Sequence, residues 1–144
     1  MSTPIDPEMT HAALNAFLRA EFPQVAERLA LSDVRAMGVS LRLHVGPAQL
    51  RPGGTVSGPA MFELADVAAY LAVLSQIGPV ALAVTTSASI DFMRKPAAEI
   101  DMIATADLLK LGKTLAVVDV KVFSENDMNR LIARASLTYS IPVY

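Results

Sequence analysis

Two carboxylates, Glu63 and Asp66, interrupt a segment that is otherwise almost wholly apolar between Pro59 and Gln76. They stand three residues apart, a spacing that puts both on one face of an α-helix. An acid on a helix that is apolar on nearly every side destabilises the fold unless something satisfies or uses it. Such a group either accepts hydrogen bonds from backbone or Ser/Thr donors, or serves as a general base on water; the residues alone leave both open. Just upstream, Ser57-Gly58-Pro59 reads as a helix start. Ser57 is a capping candidate, and Pro59 at the first helical position loses nothing by its missing N–H. A free amide here, with the positive end of the helix dipole behind it, favours a developing oxyanion.

The elements that must position these groups follow from periodicity. Gly53 and Gly54 form a flexible turn before the helix, and Gly78-Pro79 ends it. Met1 to Pro7 reads as a loose leader. Apolar residues at Ala12, Leu14, Phe17 and Leu18 predict a short amphipathic helix from about Glu8 to Ala20. Pro23 breaks it and opens a second short helix, Gln24 to Ala30, with Val25 and Leu29 on one side. Val39 to Val45 alternates apolar and polar as a half-buried strand does, and Ala48 to Leu50 continues it beyond Gly46-Pro47. After the central helix, four strands are predicted in Val80–Met93, Ile100–Leu108, Leu115–Phe123 and Leu131–Tyr139, joined by links of hairpin length. The economical architecture is α+β: one antiparallel sheet of about five strands against one long buried helix, with short helices at the N-terminus. The chain is expected to be a single domain over 1–144, with a helical segment over 1–37 and the core over 38–142.

With 53% hydrophobic residues and a mean hydropathy of +0.42, the chain is rich in apolar surface for a soluble monomer. The uncharged apolar run Val67 to Leu74 is too short to span a bilayer. The first nine residues carry no basic side chain, unlike a secretory signal. A soluble cytoplasmic oligomer, without membrane or nucleic-acid partners, is therefore expected. The absence of cysteine excludes disulfides and thiol catalysis, and two histidines, His11 and His44, leave little scope for a His-rich metal site. A net charge of −2 argues against general nucleic-acid binding.

The order of elements, with a glycine-rich approach to a buried helix, resembles the hotdog fold, a sheet curled around one helix. The motif resembles acyl-CoA thioesterases of the phenylacetic-acid-degradation type. Their pattern is roughly G-T-V-H-G-G, then Asp or Glu nine residues after the His. Here Gly54-Thr55-Val56-Ser57-Gly58-Pro59 leads to Asp66 at that spacing. Val84 to Pro96, Lys110-Leu-Gly-Lys113 with the strand after it, and Leu131 to Tyr139 extend the likeness over roughly Gly38 to Pro142. Three groups depart from the pattern: Ser57 replaces the His, Pro59 the second Gly, and Arg51 an Asn often found six residues before the His.

The resemblance implies hydrolysis of an acyl-CoA thioester to free acid and coenzyme A. Gly58 N–H would polarise the carbonyl, and Asp66 would act as general base or nucleophile. No metal or cofactor is implied; coenzyme A enters as part of the substrate. It further implies a homodimer with two composite sites, paired into a tetramer. Ser57, Arg51, Glu63, Tyr70 and Thr85 are candidate substrate contacts, Thr85 as a water-orienting hydroxyl supplied across the subunit interface. Phe62, Tyr70, Leu74 and Phe92 would set the depth of the acyl pocket. Arg94, Lys95, Lys110 and Lys113, in two hairpin turns, are candidate contacts for coenzyme A phosphates. Each has a plain alternative: a cap for Ser57, a hydrogen-bonded interface acid for Glu63, core for Tyr70, an ordinary strand residue for Thr85, solubility for the cations. His11 and His44 are assigned no chemistry. Because of the Ser57 and Pro59 departures, a non-catalytic acyl-CoA-binding protein is the alternative to the enzyme.

Overall fold

The computed structural model describes residues 8–80, 82–97 and 99–142; the expected leader Met1–Pro7 lies outside them. Thr10 caps the first helix, α1 (His11–Glu21), by accepting the Ala13 N–H at 3.1 Å. Leu14 and Leu18, one turn apart, are its fully buried side. Pro23 starts α2, which runs only over Pro23–Ala26. The expected continuation to Ala30 is replaced by a strand, β1 (Leu29–Arg35). Leu29 and Leu31 turn into the core at the two-residue period of a strand, and both pair with the next strand, β2 (Gly38–Leu43), as Leu29↔Leu43 and Leu31↔Leu41. An available antiparallel partner outweighs the weak helical preference of so short a stretch. The sheet therefore has six strands, one more than expected. Ala48–Leu50 does not extend β2: Pro47–Gln49 is a single 3₁₀ turn.

The central helix, α3 (Gly58–Ile77), is buried on most sides, and Leu64, Leu71 and Leu74 have no exposed surface. By length and hydropathy it is able to cross a bilayer, but it serves here as the core of a folded domain. Gly78, at φ 95°, ends it in a conformation that side-chain-bearing residues rarely adopt, with its N–H returned to Leu74 O.

The remaining strands are β3 (Val84–Phe92), β4 (Met102–Leu111), β5 (Leu115–Ser124) and β6 (Ala133–Ser140). The sheet order is β1-β2-β4-β5-β6-β3, with every pairing antiparallel. The alternation expected in β4, β5 and β6 is present: Ala104, Ala106, Val118, Val120, Val122, Ala135 and Leu137 point inward and are buried. Small side chains on both the sheet and α3 (Ala65, Ala68, Ala69, Ala72) let the two backbones approach closely. This is the hotdog arrangement, a sheet wrapped around one helix.

β3 is an edge strand, exposed along its length except for half-buried Ile90. Its pairing with β6 slips between Thr85 and Ser87, so that Thr85 lies opposite Tyr139 and Ser87 opposite Thr138. In a straight strand Thr85 would share the outer face of Ser87 and Ser89. The extra residue at Thr86 reverses that parity and turns Thr85 inward, on the side of buried Tyr139 and Leu137.

Candidate active site

The start of α3 leaves one amide open. A helix start has four N–H groups without intrahelical acceptors, here those of Ser57 to Ala60. Ser57 N–H donates to Gln49 O at 2.7 Å. Pro59, second in the helix and not first as expected, has no N–H. Ala60 N–H donates to Ser57 Oγ at 3.2 Å. Gly58 N–H is then the one amide of this turn with no protein acceptor among the described residues. It borders a cavity of 520 Å³ whose walls include Arg51, Met61, Phe92, Arg94 and Lys95. The Phe92 ring lies against Gly58, 3.4 Å from where a Cβ would stand. Ser57, in place of the family's imidazole, is thus the helix cap, and Pro59 removes a competing donor.

Asp66 is held from two strands. Thr85 Oγ1 donates to its Oδ1 at 2.8 Å. The Tyr139 hydroxyl stands 2.5 Å from the same Oδ1 and 2.8 Å from the Asp66 backbone carbonyl. Burial, and then the Asp66 charge, push the Tyr139 phenol far above its ordinary ionisation range, so it stays a donor. This cluster opens on a second cavity of 270 Å³, walled also by Phe22, Val67, Tyr70, Ala83 and Val84. Tyr70 packs edge-on against Phe22 at 5.4 Å between centroids, and tilted against Phe17 at 6.4 Å and Tyr139 at 6.2 Å. The N-terminal helices therefore close one side of the Asp66 cavity through Phe22.

The other candidates are placed as follows. Thr85 meets Asp66 within one chain. Glu63 is paired with Arg28, its Oε1 2.9 Å from Nη2, and both line a small cavity beside Ser57. Leu74 is fully buried in the core, whereas Phe62 and Phe92 are exposed. Arg51, Arg94 and Lys95 share the Gly58 cavity. Lys110 and Lys113 do not join them: they lie at the β4–β5 turn, level with Tyr139 and Thr85, while Arg94 and Lys95 follow Phe92 at the opposite end of the sheet. Arg130, missed in the sequence, joins Lys95 around a neighbouring groove of 310 Å³. His11 Nε2 contacts Leu31 O at 2.8 Å and His44 Nδ1 contacts Asp101 at 3.0 Å; neither approaches the site.

A family model described as the thioesterase superfamily matches residues 53–130, which include the helix start, Asp66 and Thr85. The chain belongs to the thioesterase superfamily. Among solved structures, a candidate thioesterase from a Silicibacter species is 47% identical, with 98% of this chain and 97% of that one covered at a TM-score of 0.90. A variant of the phenylacetic acid degradation protein PaaI from Thermus thermophilus is 26% identical, with 88% and 99% covered at a TM-score of 0.70. A hypothetical thioesterase from Streptococcus pneumoniae, solved with coenzyme A, shares the fold at 21% identity, with 90% and 97% covered at a TM-score of 0.76. No curated protein matches the chain significantly. As a thioesterase-superfamily member the chain keeps an open amide and a carboxylate, but in separate cavities: Gly58 lines the first and Asp66 the second.

Proposed function

We propose that the protein is a cytoplasmic acyl-CoA thioesterase whose sites are each completed by two copies of the chain. The observation that carries this reading is the start of α3, where capping and proline leave Gly58 N–H as the open donor, facing a cavity. Eight residues of helix separate Gly58 from Asp66, about 12 Å at ~1.5 Å per residue. That is too far for both to act on one carbonyl, so the Gly58 amide of one copy works with Asp66 of the other. The amide and the helix dipole stabilise the oxyanion formed as the thioester carbonyl is attacked. Asp66 takes a proton from the attacking water and passes it to the departing thiolate, or attacks the carbonyl carbon itself to form a mixed anhydride that water then hydrolyses, the water's proton going to the thiolate. The C–S bond breaks, the acid is released, and coenzyme A leaves as the thiol. Arg51, Arg94 and Lys95 in the Gly58 cavity, with Arg130 beside them, supply positive charge for the coenzyme A phosphates.

The second reading, an acyl-CoA-binding protein without turnover, is favoured by Ser57, whose hydroxyl is committed to capping and leaves no base beside Gly58. Thiol release from a panel of short, aromatic and long acyl-CoAs separates the two. The enzyme reading expects release, and a loss of roughly 10²–10⁴-fold in kcat for Asp66→Asn. Acyl-CoA binding without release from any thioester would reject it in favour of the binder.

A further inference from the structure

We propose that Tyr139 is a positioning residue of this site: with Thr85, it fixes Oδ1 of Asp66 and so sets which carboxylate oxygen meets the water. This rests on the reading of Asp66 as the base. Tyr139 is 2% exposed, and its hydroxyl meets Asp66 Oδ1 and the Asp66 carbonyl at hydrogen-bond distance, with the Thr85 hydroxyl as a further neighbour in the same cluster. A phenol has one proton, and the carboxylate is the stronger of its two acceptors. Thr85 donates to the same Oδ1. Among the described residues no hydrogen bond reaches Oδ2, which leaves that oxygen for a substrate water.

Two donors from neighbouring strands triangulate the carboxylate, and the sheet explains why both reach it. Thr85 and Tyr139 are directly opposed across the β3–β6 ladder, and the extra residue at Thr86 puts them on one face. The titratable groups facing Tyr139 are Asp66 and Tyr70 on α3, with Glu21 of α1 acting on Tyr70. Its partner on β5, Ala116, and Thr85 on β3 carry no charge. Packing alone would be served by phenylalanine; the hydroxyl is what the carboxylate uses.

The test compares thiol release by wild type, Tyr139→Phe, and a full-length chain carrying a fluorinated tyrosine at position 139. Tyr139→Phe is expected to lower kcat by roughly 10–100-fold with KM changed by less than about threefold, the pattern of a group that serves the reaction and not substrate binding. The fluorinated phenol keeps both the packing and the donor, so its kcat should stay within about threefold of wild type. A Tyr139→Phe enzyme within about twofold of wild type, or a fluorinated enzyme as slow as Tyr139→Phe, overturns the proposal and leaves the thioesterase reading intact. If wild type turns over no thioester, that reading and the positioning role fail together.

Discussion

Asp66 and Glu63 occupy one helical face, yet their surroundings give them different work. Glu63 is neutralised by Arg28, a cation from the segment before β1. Among the described residues, the side-chain partners of Asp66 are neutral hydroxyls, which hold it without an opposing charge. Ser57 shows the same division of labour at the helix start: its hydroxyl satisfies Ala60 N–H and leaves Gly58 N–H open. Ser57→Ala should therefore lower unfolding free energy by about 0.5–2 kcal/mol, the usual loss for a helix cap, measurable by urea denaturation. An unchanged midpoint would mean the cap contributes nothing. Asp66 and Gly58 were legible in the sequence because a carboxylate in an apolar helix and a glycine after a capping residue are local signals. Tyr139 was not: along β6 it is one more inward position in the Ala133, Ala135, Leu137 series, and its bond to Asp66 spans 73 residues.

Periodicity revealed α3 and the inward faces of β4, β5 and β6 because each pattern runs for many residues. It failed at β1, where only Leu29 and Leu31 alternate before the register shifts at Asp33. It is equally blind at β3, where the extra residue at Thr86 reverses which side Thr85 faces. Both share a cause: a register shift depends on the partner strand, which a local pattern does not contain. The row Phe17, Phe22, Tyr70 and Tyr139 ties α1, the α1–α2 junction, α3 and β6 into one unit, and its phenols give that unit a pH dependence. Burial, then Glu21, push the Tyr70 phenol up to about 12, and Tyr139 lies higher still. Below a pH of about 10, the ordinary phenol value, folded and unfolded chains both hold these protons and no stability is lost. As the pH rises past that value the unfolded chain gives up its protons first. Stability should therefore fall progressively through the Tyr70 value of about 12 and beyond it for Tyr139. Urea midpoints between about pH 9 and 11 should decline less steeply in Tyr70→Phe and Tyr139→Phe than in wild type. Equal slopes would show that these phenols are not the source.

The whole molecule carries apolar surface that a single chain leaves in water. Leu82, Val84, Phe92 and Met93 are exposed on or beside edge strand β3, as is Phe62 on α3. A nine-residue edge strand with apolar side chains offers unpaired backbone and apolar area to a second copy. The same association would supply what a single chain lacks, a Gly58 amide within reach of an Asp66 carboxylate. The proposed sites would work in such a dimer. Subunit mixing tests this most directly. Gly58→Leu fills the space in front of the amide, and Asp66→Asn removes the base, so each variant alone should be nearly inactive. Denatured together and refolded at equal concentration, they form mixed dimers with one intact site of two. Random pairing should then restore about a quarter of wild-type thiol release. A mixture of dimers as inactive as either variant alone would contradict the shared site.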